Sequence, residues 1–189
     1  MTIEETLIPG VKILTPRVFN DARGYFTETW VEAAFNEIAG EPIHFVQDNQ
    51  SQSARGVVRG LHFQSPPHAQ AKLVRCLSGR VLDIAVDIRK GSPVFGKYVA
   101  VELTGDNFRQ LFLPRGIAHG FAVLSDEAVF AYKCDNYYAP DHEGGLDLFD
   151  RDLNISWPVK PHEAILSEKD RRYPKFKNFD SPFTFEKKQ

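Results

Sequence analysis

Between Gly79 and Tyr138 the chain repeats one pattern five times: a short run rich in Val, Phe, Tyr and Ile, then a turn. The runs are GRVLDIAVDI (79–88), KYVAVEL (97–103), RQLFLP (109–114), HGFAVLS (119–125) and EAVFAYKCDNYY (127–138), and KGSPVFG, TGDN, PRG and SD separate them. β-Branched and aromatic residues suit the pleated surface of a strand, while Gly, Pro, Asn and Asp suit turns. Short strands at this spacing predict an all-β sandwich or barrel rather than βαβ units. The chain has 189 residues, 42% of them hydrophobic. That is enough for a single domain over residues 1–189 with a core of its own.

Helical signals are few. VEAAFNEIAG (31–40) places apolar residues at 31, 34, 35 and 38 and ends on Gly40, a helix stop. A second short helix is expected to begin at Ser167, with Glu168 and Asp170 in its first turn. The segment 178–189 has no period and is expected to lie loosely on the surface. Cys76 and Cys134 sit in apolar runs without metal-type spacing and read as reduced core residues. The formal net charge of -2 gives no sign of nucleic-acid or membrane partners. The start, MTIEETLIPG, lacks the basic and apolar parts of a signal peptide, so the expected compartment is the cytoplasm.

Upstream of the repeated strands, GVVRGLHFQSPPHAQAKLVRC (56–76) reads as two strands joined by a Pro-rich turn, yet cations are spread through it. Alternation puts His62 and Gln64 on one face and Leu61 and Phe63 on the other. Gln70, Lys72, Val74 and Cys76 share a face, as do Phe130, Tyr132 and Cys134, with Lys133 opposite. A barrel of about eight strands encloses one small ligand, so inward cations would line a pocket. His62 could take a proton near neutral pH, Lys72 could stabilise an oxyanion and Tyr132 could return a proton. The set fits proton abstraction beside a carbonyl. Each residue alone also fits a structural role: a hydrogen-bonded histidine, a snorkelling lysine, a core tyrosine. Strict alternation puts Arg59 opposite His62. A bulge at Gly60 would bring both to one side, but the sequence does not reveal one.

Two resemblances sharpen this reading. Gly56 to His62, and Pro114, Gly116 and His119 in LPRGIAHGF, resemble the two motifs of the cupin superfamily of jelly-roll barrels, with Gln64 where a second histidine is expected. With ligands missing, the resemblance implies a cupin that holds no metal. More closely, FVQDNQSQSARGVVRGLHFQ, AQAKLVRCLSGRVLDIAVDIRKGSPVFGKY, LPRGIAHGF and YKCDNYYAPDHEGG resemble the dTDP-4-dehydrorhamnose 3,5-epimerase family, in order and spacing over about residues 8–170.

That resemblance implies a cupin-type jelly-roll β-barrel with one or two short helices. It implies an isomerase that inverts C3 and C5 of dTDP-4-dehydro-6-deoxy-D-glucose to give dTDP-4-dehydro-L-rhamnose. The C4 ketone is the electron sink, so no cofactor is implied. His62 resembles the family's base and Asp170 its carboxylate partner; Tyr132 resembles the acid, and Lys72 the group facing the C4 oxygen. His119 matches a further sugar-pocket position. Arg23 and Arg59 match pyrophosphate-binding positions, and Glu28, Gln47, Asp48 and Asn49 match thymidine-binding positions. Tyr138 matches an aromatic near the base, and Glu143 and Lys169 match further binding positions. The family pattern is a homodimer exchanging an N-terminal strand, so Arg23 and Glu28 would serve the neighbouring site. The alternatives are a relative that inverts only C3 or only C5, a metal-dependent cupin oxygenase using His62 and His119, and a nucleotide-sugar binder without catalysis.

Overall fold

The computed structural model describes residues 1–186. In chain order the elements are β1 (Thr2–Glu5), β2 (Lys12–Thr15), β3 (Val18–Asp21), β4 (Gly24–Thr27), α1 (Glu32–Ala39), β5 (Gln47–Ala54), β6 (Val58–Gln64), β7 (Lys72–Ser78) and β8 (Arg80–Asp87). There follow β9 (Arg89–Lys90), β10 (Tyr98–Thr104), β11 (Gln110–Leu113), β12 (Ile117–Val123), β13 (Glu127–Cys134), β14 (Glu143–Gly145) and β15 (Phe183–Thr184). Two antiparallel sheets face each other. One has the order β1-β2-β11-β7-β13-β5 and the other β10-β8-β12-β6-β14. The fold is all-β and jelly-roll-like.

Both sheets are covered on their outer faces as well, which is why several strands are apolar throughout rather than alternating. Between the sheets lie Val74, Val81, Leu103, Leu111, Phe121 and Phe130. Outside the six-stranded sheet, α1 seats Phe35 on Phe112, with ring centroids 5.0 Å apart, and Trp30 and Phe45 close the cluster. Outside the five-stranded sheet, the segment after β14 lays Leu146, Leu148, Leu153 and Phe183 over Leu61, Phe63 and Ile84. Each such side chain contributes about 1.5–3 kcal/mol when fully buried. No helix among the described residues is long and apolar enough to cross a membrane.

α1 ends at Gly40 as its spacing predicts. The expected second helix is one 3-10 turn, Asp170–Arg172, and it begins at Asp170, not Ser167. Ser167 still caps the turn: its hydroxyl accepts the Asp170 amide at 3.1 Å and its carbonyl accepts the Arg171 amide at 3.3 Å. The tail expected to lie loosely is docked over residues 178–186. Phe183 is buried and pairs with Arg89, and Ser181 donates to the Ile88 carbonyl; residues 187–189 lie outside the described residues. The strand expected at 119–125 runs from 117 to 123.

The bulge that alternation leaves undetected is present. His119 pairs with His62 but Phe121 pairs with Arg59, so β6 uses one more residue than β12 between these pairs. At this point the two backbones nearly touch. A Cβ on Gly60 would lie 2.6 Å from the His119 carbonyl oxygen, and one on Gly120 would lie 2.6 Å from that of Arg59. Gly60 also has φ +124. Only glycine fits both demands. The consequence is local and important: Val58, Leu61 and Phe63 face the outer core, while Arg59 is turned to the side of His62.

Candidate active site

Four strands supply the central side chains. β6 brings His62, β7 brings Lys72, β13 brings Tyr132, and β5 brings Gln47 and Asn49. In register, Tyr132 has Asn49 on one side and Val74 on the other, and Cys134 lies beside Lys72. Because inward positions recur every second residue, these side chains line one cavity, with Tyr138 and Glu143 beside them.

His62 Nε2 lies 2.6 Å from Asp170 Oδ1, across 108 positions of sequence. Asp170 is almost fully buried. Burial works to raise its pKa, but the hydrogen bond and charge of His62, with Ser167 and Lys169 behind, hold it below the ordinary aspartate value. An ionised carboxylate only accepts, so Nε2 carries the hydrogen, and in the neutral imidazole Nδ1 is then the nitrogen with the lone pair.

Burial pushes the Lys72 ammonium below the usual lysine range, against the pull of Cys134, Glu143 and Asp83. Its Nζ stands 5.7 Å from the centre of the Tyr132 ring. Tyr132 is pushed up, chiefly by burial and then by Cys134, while Arg59 draws it down. Burial likewise raises the Cys134 thiol to about 11, so it stays protonated beside the lysine. Arg59 is kept near the site by a 3.0 Å bond from its Nε to Ser53. Near the cavity, Glu143 accepts from Tyr138 at 2.8 Å and from Lys169 at 2.6 Å. Burial opposes its ionisation, but those two bonds together with the charges of Lys169 and His62 outweigh burial and leave its pKa low. Gln47 accepts the Tyr138 amide at 3.0 Å and donates to Asn49 at 2.9 Å.

Other expected site residues lie elsewhere. Asp48 points out of the cavity and pairs with Lys133 at 2.7 Å, because it is one position out of phase with Gln47 and Asn49. Arg23 sits at the tip of the β3–β4 hairpin, 90% exposed and paired with Asp21. Glu28, just after β4, is also exposed and lines a different hollow with Trp30. Neither reaches the cavity within this chain. His119 is adjacent to His62 in register, but its Nε2 donates to both oxygens of Asp83, at 3.0 and 2.9 Å.

Asp83 is the functional-looking residue that sequence reasoning missed. It is fully buried; burial raises its pKa, and His119 and Lys72 oppose that rise. Its signal was available, since a carboxylate in the otherwise apolar run RVLDIAV needs a partner. Gln64 shares the face of His62 and stands where the cupin motif has a second histidine. Its amide bonds the carbonyls of His68 and Tyr137 and the amide of Ala139, which fixes the loop carrying Tyr138. Among the described residues no three His, Cys, Asp or Glu side chains converge to hold a metal ion.

An imidazole paired with a carboxylate, a phenol and a desolvated ammonium around one cavity of a jelly roll suit proton transfer beside a carbonyl, the chemistry of an epimerase-type isomerase. The family model described as dTDP-4-dehydrorhamnose 3,5-epimerase matches residues 5–178. A protein of that name from Shigella flexneri is 51% identical over 180 residues, which is 95% of this chain and 98% of the relative. The crystal structure of the Elizabethkingia anophelis protein of the same name superposes with a TM-score of 0.90 at 51% identity, covering 94% of this chain and 97% of that one. A dTDP-6-deoxy-D-glucose-3,5-epimerase from Legionella pneumophila, solved in complex with dTDP-4-keto-L-rhamnose, superposes with a TM-score of 0.91 at 46% identity, covering 95% and 94%. The chain belongs to the dTDP-4-dehydrorhamnose 3,5-epimerase family.

Proposed function

We propose that the chain inverts C3 and C5 of dTDP-4-dehydro-6-deoxy-D-glucose. The observation that carries this reading is the His62–Asp170 pair opening on the same cavity as Tyr132 and Lys72. His62 Nδ1 removes a hydrogen α to the ketone as a proton. The C–H electron pair moves into the ring and the carbonyl pair onto the C4 oxygen, forming an enolate. Lys72 meets that charge: an ammonium that burial disfavours in the resting site gains a partner as the enolate forms. Tyr132 then delivers a proton to the carbon from the opposite face, and its phenolate and the imidazolium reset by exchange with solvent. Burial keeps the phenol protonated until the carbanionic carbon demands its proton. Arg59 holds the pyrophosphate, Gln47 and Asn49 read the base, Tyr138 stacks near it, and Glu143 and Lys169 border the sugar.

The test is incubation with dTDP-4-dehydro-6-deoxy-D-glucose in D2O, followed by NMR. Inversion and deuterium at both C3 and C5 are expected. Change at one centre alone would make the chain a mono-epimerase, and change at neither would reject the reading.

The working unit in this reading is a homodimer. Phe19, Tyr25 and Phe26 on the β3–β4 hairpin are 46%, 61% and 65% exposed, an apolar patch of the kind a partner covers. Laid on a second copy, the hairpin would carry Arg23 to that copy's pyrophosphate and Glu28 to its thymidine. A sedimentation mass of two chains is expected, and a fully active single chain would exclude the shared site. The buried, unpaired thiols of Cys76 and Cys134 suit the reducing cytoplasm.

A further inference from the structure

Tyr173 stands beside the His62–Asp170 pair but takes no part in the acid–base set. It follows the 3-10 turn that carries Asp170, and its ring meets the His62 ring edge-on, with centroids 5.7 Å apart and planes at 67°. The ring also lies against Gly145, where a Cβ would fall 2.5 Å from two of its carbons. Gly145 is the register partner of His62 on β14. The ring is therefore wedged between the imidazole and the backbone of the strand next to it. Two backbone bonds fix the wedge: Asp147 N donates to Pro174 O at 3.0 Å, and Leu146 N to Leu61 O at 3.0 Å.

The hydroxyl does not explain this placement. It is enclosed and has no hydrogen-bond partner among the described residues. Burial, with Glu143 and Asp170 nearby, also pushes the phenol well above its ordinary pKa. An enclosed hydroxyl without a partner is unfavourable, so the value of the position lies in the ring. The Asp170 bond fixes one nitrogen of His62 but leaves the imidazole free to rock about that bond. An aromatic edge against the ring removes this freedom.

We propose that Tyr173 is a positioning residue whose ring sets the tilt of the His62 imidazole, so that Nδ1 is held where it addresses the sugar carbons. This rests on the reading of His62 as the base. The experiment compares wild type, Tyr173→Leu, Tyr173→Phe and Gly145→Ala in steady-state kinetics, dTDP binding and thermal melting. Tyr173→Leu should lower kcat by about 100-fold, the scale of a misplaced catalytic group. KM should stay within about threefold, since substrate binding is untouched. Tyr173→Phe should restore wild-type kcat and melt about 2–4 °C higher, having lost the unpartnered hydroxyl. Gly145→Ala, whose methyl meets the ring, should slow kcat in the same sense, and it carries the test if the leucine variant does not fold. Wild-type kcat in both Tyr173→Leu and Gly145→Ala overturns the proposal, and so does a phenylalanine variant as slow as the leucine one. A wild-type protein that exchanges no sugar proton defeats the assignment of His62 itself, before any variant is compared.

Discussion

His62→Ala is expected to abolish deuterium exchange at C3 and C5 while leaving dTDP binding in place. A positioned general base contributes about 10²–10⁴-fold, so turnover should fall by at least that factor. The variant also strands Asp170, which is 3% exposed and has His62 as its strongest partner. Removing one partner of a buried charged pair costs about 3–5 kcal/mol. Activity must therefore be measured well below the variant's melting point. His62→Gln supplies the control, because its terminal amide reaches the place of Nε2 and can still donate to the carboxylate but cannot act as a base. Both variants should be inactive, with the glutamine form the more stable. Exchange at a near-wild-type rate in either one would remove His62 from the chemistry.

Tyr132→Phe separates the two faces of the sugar. Without the phenol, the proton taken by His62 can return only from the side on which it left. Inversion should fall by about 100-fold or more, while washout of the original hydrogen with retained configuration continues within about tenfold of the wild-type rate. The ring itself remains, so its packing near Phe130 and Lys72 is kept and stability should change little. NMR of recovered substrate and product resolves the two rates. An equal loss of exchange and inversion would mean that Tyr132 orients the sugar and gives no proton.

Much of this arrangement is local and so can be read along the chain. The strands between residues 80 and 134 announce themselves through apolar runs broken by Gly, Pro and Asp. α1 announces itself through its period and Gly40. Alternation groups His62 with Gln64, Lys72 with Val74 and Tyr132 with Cys134, because the bulge at Gly60 falls before His62 and the shift in β13 falls before Phe130. The same rule puts Asp48 out of phase with Gln47 and Asn49, although the motif QDN presents all three together. β5 itself, QDNQSQSA, has no apolar face to betray it. It is a strand because β13 offers it eight register partners.

Residue type and strand phase are thus properties of the sequence by itself, and with them come the all-β class and the central chemical groups, while the jelly-roll form is what the resemblance of the motifs implies. The tertiary structure decided four things: the union of His62 with Asp170, which the resemblance implies but no local pattern reveals, the anchoring of His119 by Asp83, the bulge that turns Arg59 to the side of His62, and the docking of a tail that looked unattached. The physical reason is common to all four. Each depends on two segments far apart in the chain being forced together by burial, whether as a carboxylate that must find a donor, two backbones close enough to require glycine, or a phenylalanine that fills the outer core.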